Sequence, residues 1–196
     1  RTFVNVFLWS RHYKVTFAEI EHTIVFKSED HGLAFAYPVG AAEDVKRVLE
    51  FLMEYSAKKE APFVLYNVTE DNFRQLEEWY PGQYQIEYNR DIADYVYESE
   101  KLATLSGKKL HAKRNHINKF KATFDDWCYE PITKENVEEC FQMALKWRNE
   151  SGCEEDVEKN AEMCVTLNSL RLFEELELKG GLLRVNGEIV AFTMGE

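Results

Sequence analysis

The order of short β-type runs and amphipathic helices restricts this 196-residue chain to an α+β fold. Three short apolar or alternating runs, at residues 15–20, 23–27 and 33–37, are separated by turn residues and predict an antiparallel meander. Residues 43–59 then carry apolar side chains at helical spacing, which predicts a helix. Strands followed by a long helix are typical of α+β domains.

Weaker patterns fill the remainder of the first half. We expect a short amphipathic helix over residues 5–13. Thr69 is predicted to cap a helix over residues 73–79, because acidic residues follow it in the first turn. Three further short strands are predicted, at residues 63–66, 84–88 and 92–97.

A second series of elements starts near Asp125. The pattern predicts a strand at residues 127–131, a helix capped by Thr133, an acidic loop at 150–158 and a helix over 161–179. Gly180-Gly181 is interpreted as the stop of that last helix. Asn186-Gly187 between two apolar runs, 182–185 and 188–194, is the strongest short hairpin signal in the chain.

Positive charge is concentrated in residues 101–124. This segment holds seven Lys and Arg and no Asp or Glu, in a chain with 35 acidic residues and a formal net charge of −11. A solvated helix usually intermixes Glu with Lys, because opposite charges at i,i+4 stabilise it and like charges destabilise it. The segment therefore predicts contact with an anionic partner.

On a helix that starts after Gly107, the segment separates into two stripes. Leu110, Ile117, Phe120 and Phe124 share a stripe that is expected to face the core. The neighbouring stripe and its lysines are the candidate anion-binding residues: Lys108, Lys109, His111, Lys113, Arg114, Asn115, Asn118 and Lys119. An alternative remains open, in which the amides and His111 bond a neighbouring loop and the lysines are only solvated.

The same residues carry a family resemblance. Residues 107–120 fit the pattern G-K-K-x-H-x-K-R-N-H-x-N-x-F, which resembles the C-terminal domain of bacterial phosphatidylglycerol lysyltransferases, and Asn5-Val6-Phe7-Leu8-Trp9 with Tyr13 resembles the opening helix of that family. The resemblance implies tandem GNAT-like domains related to the Fem peptidyltransferases. Characterised members transfer an aminoacyl group from aminoacyl-tRNA to a lipid or peptidoglycan amine or hydroxyl.

From this resemblance we expect a first GNAT-like domain at residues 1–100, a basic bridging helix at 101–124, and the first half of a second GNAT-like domain at 125–196. The loop that would hold a coenzyme A pyrophosphate is expected beyond Glu196. Three hypotheses stay open: an aminoacyl-tRNA-dependent transferase, an acyl-CoA-dependent N-acyltransferase, and a non-catalytic GNAT-like module. The anionic partner is accordingly tRNA, a phospholipid head group or coenzyme A.

Other site classes are disfavoured by spacing. The four cysteines lie 11 to 13 residues apart without a C-x-x-C pair, so a zinc site is not expected. Cys140 and Cys164 fall on apolar helical stripes and are interpreted as core residues. No run of 18 apolar residues occurs, so no transmembrane helix is expected. Reduced thiols in a cytoplasmic protein are the default expectation for the cysteines.

Overall fold

The computed structural model describes residues 3–90, 93, 95–152 and 155–196. The chain divides into two compact units, residues 1–86 and 87–196. Each unit has its own sheet, one mixed and one antiparallel, so the α+β prediction is confirmed. No helix in the described ranges is long and apolar enough to cross a membrane.

The first unit is built on a four-stranded sheet with the order β1-β2-β3-β4. Its strands are β1 (Val15–Ile20), β2 (Thr23–Ser28), β3 (Ala34–Ala36) and β4 (Leu65–Tyr66). The helices are α1 (Phe3–Trp9), α2 (Ala42–Lys58) and α3 (Glu70–Trp79). The first three strands form the predicted antiparallel meander, and β4 pairs with β3 in parallel. Helix α2 connects these last two strands, since parallel neighbours need a crossover.

The core of the first unit lies between α2 and the sheet. The apolar stripe of α2 is buried at Val45, Val48, Leu49 and Leu52. Val48 and Leu52 pack with Val25 and Phe35 of the sheet, while Val45 and Leu49 pack with Tyr37 and Leu76. Glu43 and Asp44 lie in the first turn of α2, where the helix dipole favours negative charge.

Thr69 caps α3 as predicted. Its side chain accepts a hydrogen bond from the backbone N–H of Asn72, and the Asn72 side chain accepts one from the backbone N–H of Thr69. This reciprocal arrangement satisfies two donors that the helix itself leaves unpaired. The helix starts at Glu70, three residues before the predicted apolar run, because the cap sets the first turn.

Three predictions for this part of the chain need correction. Helix α1 ends at Trp9, and residues 10–13 form a turn in which His12 and Tyr13 donate to the Trp9 carbonyl. Residues 84–88 form no strand, because no partner strand lies beside them in the described sheet. Of the strand predicted at 92–97, residues 92 and 94 lie outside the described residues, and 95–97 are irregular.

The second unit contains a three-stranded antiparallel sheet with the order β5-β6-β7. Its strands are β5 (Trp127–Pro131), β6 (Lys179–Val185) and β7 (Glu188–Gly195). Its helices are α4 (Ser99–Thr104), α5 (His111–Thr123), α6 (Val137–Glu150) and α7 (Val157–Arg171), and a short 3₁₀ turn covers Lys108–Leu110. Helices α6 and α7 pack on each other, and α6 also contacts β7.

Cys140 and Cys164 have different environments. Cys140 is fully buried on α6 and belongs to the core, as predicted. Cys164 is exposed on α7, so its assignment to the core is wrong. The buried stripe of α7 runs instead through Met163, Leu167 and Leu170, which lie at i, i+4 and i+7 on one face. Cys153 lies outside the described residues.

The ends of α6 and α7 differ from the predictions. Helix α6 begins at Val137, and the Thr133 hydroxyl accepts from the backbone N–H of Glu135 in the preceding turn rather than capping the helix. Helix α7 ends at Arg171, and Gly180 and Gly181 lie inside strand β6, so they are not a helix stop.

Close approach explains these two glycines. A Cβ atom on Gly180 would lie 2.6 Å from the backbone oxygen of Thr193 on the neighbouring strand. A Cβ atom on Gly181 would lie 2.5 Å from Cζ of the Tyr129 ring. Glycine inside a strand often marks a site where another group approaches closely.

The hairpin at Asn186-Gly187 is confirmed. Both residues have positive φ, 51° and 80°, as a two-residue type I′ turn requires. They join β6 to β7, whose register pairs Val185 with Glu188.

Candidate functional site

The basic segment is divided by a sharp turn between α4 and α5. Leu105 has a left-handed conformation with φ 51°, and Gly107 has φ 90°. Only glycine adopts the second conformation readily. The helix of the candidate residues begins after Gly107 as predicted, but the segment 101–124 is not one continuous helix. Lys101 lies on α4, where its ammonium pairs with Glu98 at 2.8 Å.

Arg114 holds this turn in place. Its Nη1 donates to the backbone oxygens of both Leu105 and Gly107, the second at 2.9 Å. One guanidinium nitrogen therefore stabilises the strained left-handed residue instead of facing solvent. The predicted contact of Arg114 with an anion can use only its other nitrogens.

His111 and Asn115 lie one turn apart and contact each other. Asn115 Nδ2 is 3.2 Å from His111 Nε2. Asn118 follows on the same stripe and is exposed. The structure therefore brings the predicted polar row together on one helix face, next to the turn that Arg114 holds.

Four lysines of the segment have no carboxylate partner among the residues that the structure describes. Lys108, Lys109, Lys113 and Lys119 are exposed. Within the described residues, each carboxylate lies more than 4.0 Å from their ammonium groups. Lys121 differs, since its ammonium lies 5.5 Å from the centre of the Trp127 ring. An array of unpaired cations on one short segment is what the anion-binding prediction requires.

A shallow open concavity lies at the start of α5. It has a volume of about 440 Å³ and is lined by Gly107, Lys108, His111 and Arg114. Its walls thus combine an ammonium, an imidazole and a guanidinium with backbone that has no side chain to block approach. These groups suit an oxyanion such as a phosphate.

The apolar stripe of α5 is not buried as predicted. Ile117 is 43% exposed and Phe124 39% exposed, and no residue of α5 is buried. Leu110 and Phe120 are half-buried. Phe120 anchors the end of the helix through edge contacts with Trp127, with ring centres 5.9 Å apart. The prediction of a core-facing stripe therefore holds only for part of its length.

Sequence reasoning missed the acceptors of Arg114. The partners are backbone oxygens at positions 105 and 107, which no side-chain pattern reveals. Gly107 was the available signal, because a glycine just before a helix often provides a special backbone geometry.

Comparison with known proteins identifies the family. Residues 1–196 match the family described as phosphatidylglycerol lysyltransferase, C-terminal. The chain belongs to this family. The resemblance carried by residues 107–120 is thereby confirmed, and it extends over the whole sequence.

Solved structures support the same fold. The chain resembles a conserved protein of unknown function from Bacteroides thetaiotaomicron VPI-5482, with 39% identity and a TM-score of 0.88, over 98% of this chain and 65% of that one. It also resembles the C-terminal domain (DUF2156) of a putative lysylphosphatidylglycerol synthetase from Agrobacterium fabrum, with 14% identity and a TM-score of 0.53. That likeness covers 94% of this chain and 56% of the other.

A curated relative is an uncharacterised protein of Mycoplasmoides gallisepticum. It is 28% identical over 119 residues, which is 60% of this chain and 38% of the relative. The chain thus spans less than two thirds of the length of these relatives.

Proposed function

We propose that this lysyltransferase-family chain is part of a GNAT-fold transferase that moves an aminoacyl group from aminoacyl-tRNA to an amine or hydroxyl of a lipid or peptide. Family membership supports the reaction class, because characterised members use an aminoacyl-tRNA donor and a lipid acceptor. The unpaired lysines of the basic segment are the observation from which we assign anion binding to particular residues.

The domain arrangement is part of this proposal. Residues 1–100 would form a first GNAT-like domain, 101–124 a basic bridge, and 125–196 the first half of a second GNAT-like domain. Two compact units, each with its own sheet and helices, support an arrangement in tandem. A cytoplasmic location likewise stays a prediction.

In this proposal the basic segment holds the phosphates of the tRNA. Lys108, Lys109, Lys113 and Lys119 neutralise backbone phosphates, while His111, Asn115 and Asn118 donate directed hydrogen bonds. Arg114 keeps the turn at residues 105–107 in shape and offers its free nitrogens to the concavity. A local concentration of cations is needed, because the chain as a whole carries a formal net charge of −11 and repels nucleic acid.

Salt dependence tests this role. Four phosphate contacts predict that log Kd rises with log salt concentration with a slope of roughly 3 to 4, or a loss of about 100-fold in affinity between 50 and 200 mM KCl. Fluorescence anisotropy with labelled tRNA measures both quantities. The triple variant K108Q/K113Q/K119Q is expected to lower the slope by roughly 2 to 3.

A matched control separates local from general charge. K46Q/K134Q/K146Q removes the same charge from exposed lysines outside the basic segment. It should leave the slope unchanged. Equal effects of the two triple variants, or no salt dependence, would contradict the role of the segment.

The concavity at Gly107 supports a second candidate. A compact site lined by Lys108, His111 and Arg114 fits a single phosphate monoester, such as the one that coenzyme A carries, as well as a polymer. A thermal shift with acetyl coenzyme A and none with tRNA would favour an acyl-CoA-dependent N-acyltransferase. The hydrogen bonds from Arg114 to the turn give this residue a structural role. If neither tRNA nor acetyl coenzyme A binds, these bonds favour a third candidate, a non-catalytic module.

A further inference from the structure

A second cavity lies within the first unit, away from the basic segment in sequence. It has a volume of about 630 Å³, within the range of small-molecule pockets. Its walls come from α1, β2, the segment that follows β3, the start of α2 and the region from Asn67 to Gln75.

One wall of the cavity is apolar and open to water. Phe3 is 64% exposed, Ile24 is 44% exposed and Val39 is 55% exposed, and all three line the cavity. Ile24 and Val39 are held beside each other by a pair of backbone hydrogen bonds of 2.9 and 3.0 Å. Covering these side chains would remove apolar surface from water, which is favourable.

Two amide side chains in the lining, those of Gln75 and Asn72, offer hydrogen-bond donors. Gln75 Oε1 accepts from the Tyr37 hydroxyl at 2.8 Å, so its Nε2 is the group left over. Asn72 Oδ1 accepts from the Thr69 hydroxyl at 2.8 Å and from the Thr69 N–H, which leaves its Nδ2. Amide nitrogens of this kind only donate, so they select a ligand with an acceptor oxygen.

The charge of the lining residues indicates whether the acceptor group of the ligand is charged or neutral. All fourteen lining residues are uncharged, although 30% of the chain is charged. A carboxylate would therefore lose water without gaining a cation from the lining. A neutral carbonyl avoids this cost.

We propose that this cavity binds a neutral acyl ester or amide. Its acyl chain packs on Phe3, Ile24 and Val39, and its carbonyl oxygen accepts hydrogen bonds from the side-chain amides of Gln75 and Asn72. The proposal is independent of the tRNA site, because it concerns the first unit only and needs no nucleic acid.

Ligand-observed NMR titration tests the proposal with three probes of equal chain length: methyl octanoate, octanoate and octylammonium. Methyl octanoate is expected to bind at least 10-fold more tightly than octanoate. Both probes have the same acyl chain, but octanoate would also bring an unpaired negative charge into the cavity. Octylammonium lacks the acceptor oxygen and should also bind at least 5-fold more weakly than the ester.

Variants locate the binding. Ile24→Gln and Gln75→Leu should each weaken methyl octanoate binding about 5-fold or more, and Phe17→Gln should not change it. Phe17 is a matched control, because it is 75% exposed on the neighbouring strand and does not line the cavity. Val39→Gln replaces Ile24→Gln if the latter lowers the melting temperature.

Three results would overturn the proposal. Equal affinity for the ester and octanoate would remove the argument from charge. Equal weakening by Phe17→Gln and Ile24→Gln would show adsorption to exposed apolar surface. Absence of methyl octanoate binding in a protein that still binds tRNA would reject the cavity as a site and leave the proposed function standing.

Discussion

Arg114 shows how a single side chain can serve a binding surface indirectly. Its Nη1 bonds two backbone oxygens and so fixes the turn from which Lys108 projects. A lysine at this position would keep the charge but lose Nη1, the guanidinium nitrogen that reaches both acceptors.

We therefore expect Arg114→Lys to weaken tRNA binding although the net charge is unchanged. The measurement is anisotropy at fixed salt, paired with amide hydrogen exchange, which should rise at residues 105–110. Lys109→Arg, which also preserves charge and bonds no turn carbonyl, is the control. Full affinity in Arg114→Lys would mean that the turn does not position the lysines.

The contacts of Arg184 lead to a prediction about how stability depends on pH. Its Nη1 and Nη2 donate to the two carboxylate oxygens of Glu139 at 2.7 and 3.0 Å, and its Nε donates to Glu130 at 3.1 Å. The hydrogen bonds from Arg184 lower the pKa of Glu139. A lowered carboxyl pKa stabilises the fold above the ordinary value of 4.5, and this stabilisation is lost as the pH falls through the folded-state pKa.

Urea unfolding between about pH 6 and pH 3 should thus show a steeper loss of stability in the wild type than in Glu139→Gln, because that variant has no proton to bind. Glu138→Gln is the neighbouring control, since Glu138 bonds Gln142 instead of an arginine. Parallel curves for the wild type and Glu139→Gln would contradict this view of the pair.

Among the elements, those set by local chemistry were predictable from sequence. The Thr69 cap and the Asn186-Gly187 turn depend on residues a few positions apart, so the sequence alone determines them. Residues 84–88 have the alternation of a strand, but a strand exists only when another lies beside it.

The structural role of the pair Gly180-Gly181 was ambiguous from the sequence. Gly180-Gly181 fits both a helix stop and a strand that another group approaches closely, and nothing nearby in sequence separates the two. The deciding contacts come from Thr193 and Tyr129, which are distant along the chain.

The two glycines of β6 should respond differently to alanine. Gly180→Ala places a methyl group against the rigid backbone oxygen of Thr193, and we expect a loss of about 1 to 3 kcal/mol in unfolding free energy. Gly181→Ala meets the ring of Tyr129, which is 64% exposed and has room to move, so a loss below about 1 kcal/mol is expected. Chemical denaturation of both variants checks the order, and a larger loss for Gly181→Ala would be contrary to it.

For the whole molecule, the two units should respond differently to alkaline pH. Burial raises the pKa of both Tyr37 and Tyr80 to about 12, with further contributions from Glu50 for Tyr80 and from Tyr84 for both. A raised pKa leaves stability intact below the ordinary value of 10.0 and removes it as the pH rises towards 12. Both tyrosines lie in the first unit.

We expect the first unit to lose protection from hydrogen exchange before the second unit as the pH rises above about 10, after correction for the intrinsic exchange rate. Replacing Tyr37 and Tyr80 by Phe should reduce that pH dependence. Tyr129→Phe, on the exposed face of the second unit, should not. Simultaneous loss of protection in both units would argue against separate cores.

The residues of the basic site were predictable from the sequence, but their contacts were only partly predictable. All eight candidate residues lie on the 3₁₀ turn and α5, because helical spacing alone sets their order. The contacts of the basic side chains depend on the three-dimensional structure. Lys101 pairs with Glu98, Lys121 lies near Trp127, and Arg114 bonds the turn. Such pairings arise from backbone breaks and neighbouring rings that periodicity does not encode.

The contact between Tyr129 and Gly181 has an evolutionary consequence. The ring fills the space that a larger residue at 181 would need, while the glycine leaves the ring a flat surface to cover. Homologues that carry a side chain much larger than a methyl group at the position of Gly181 should therefore have a small residue in place of Tyr129, so that these two alignment columns change together.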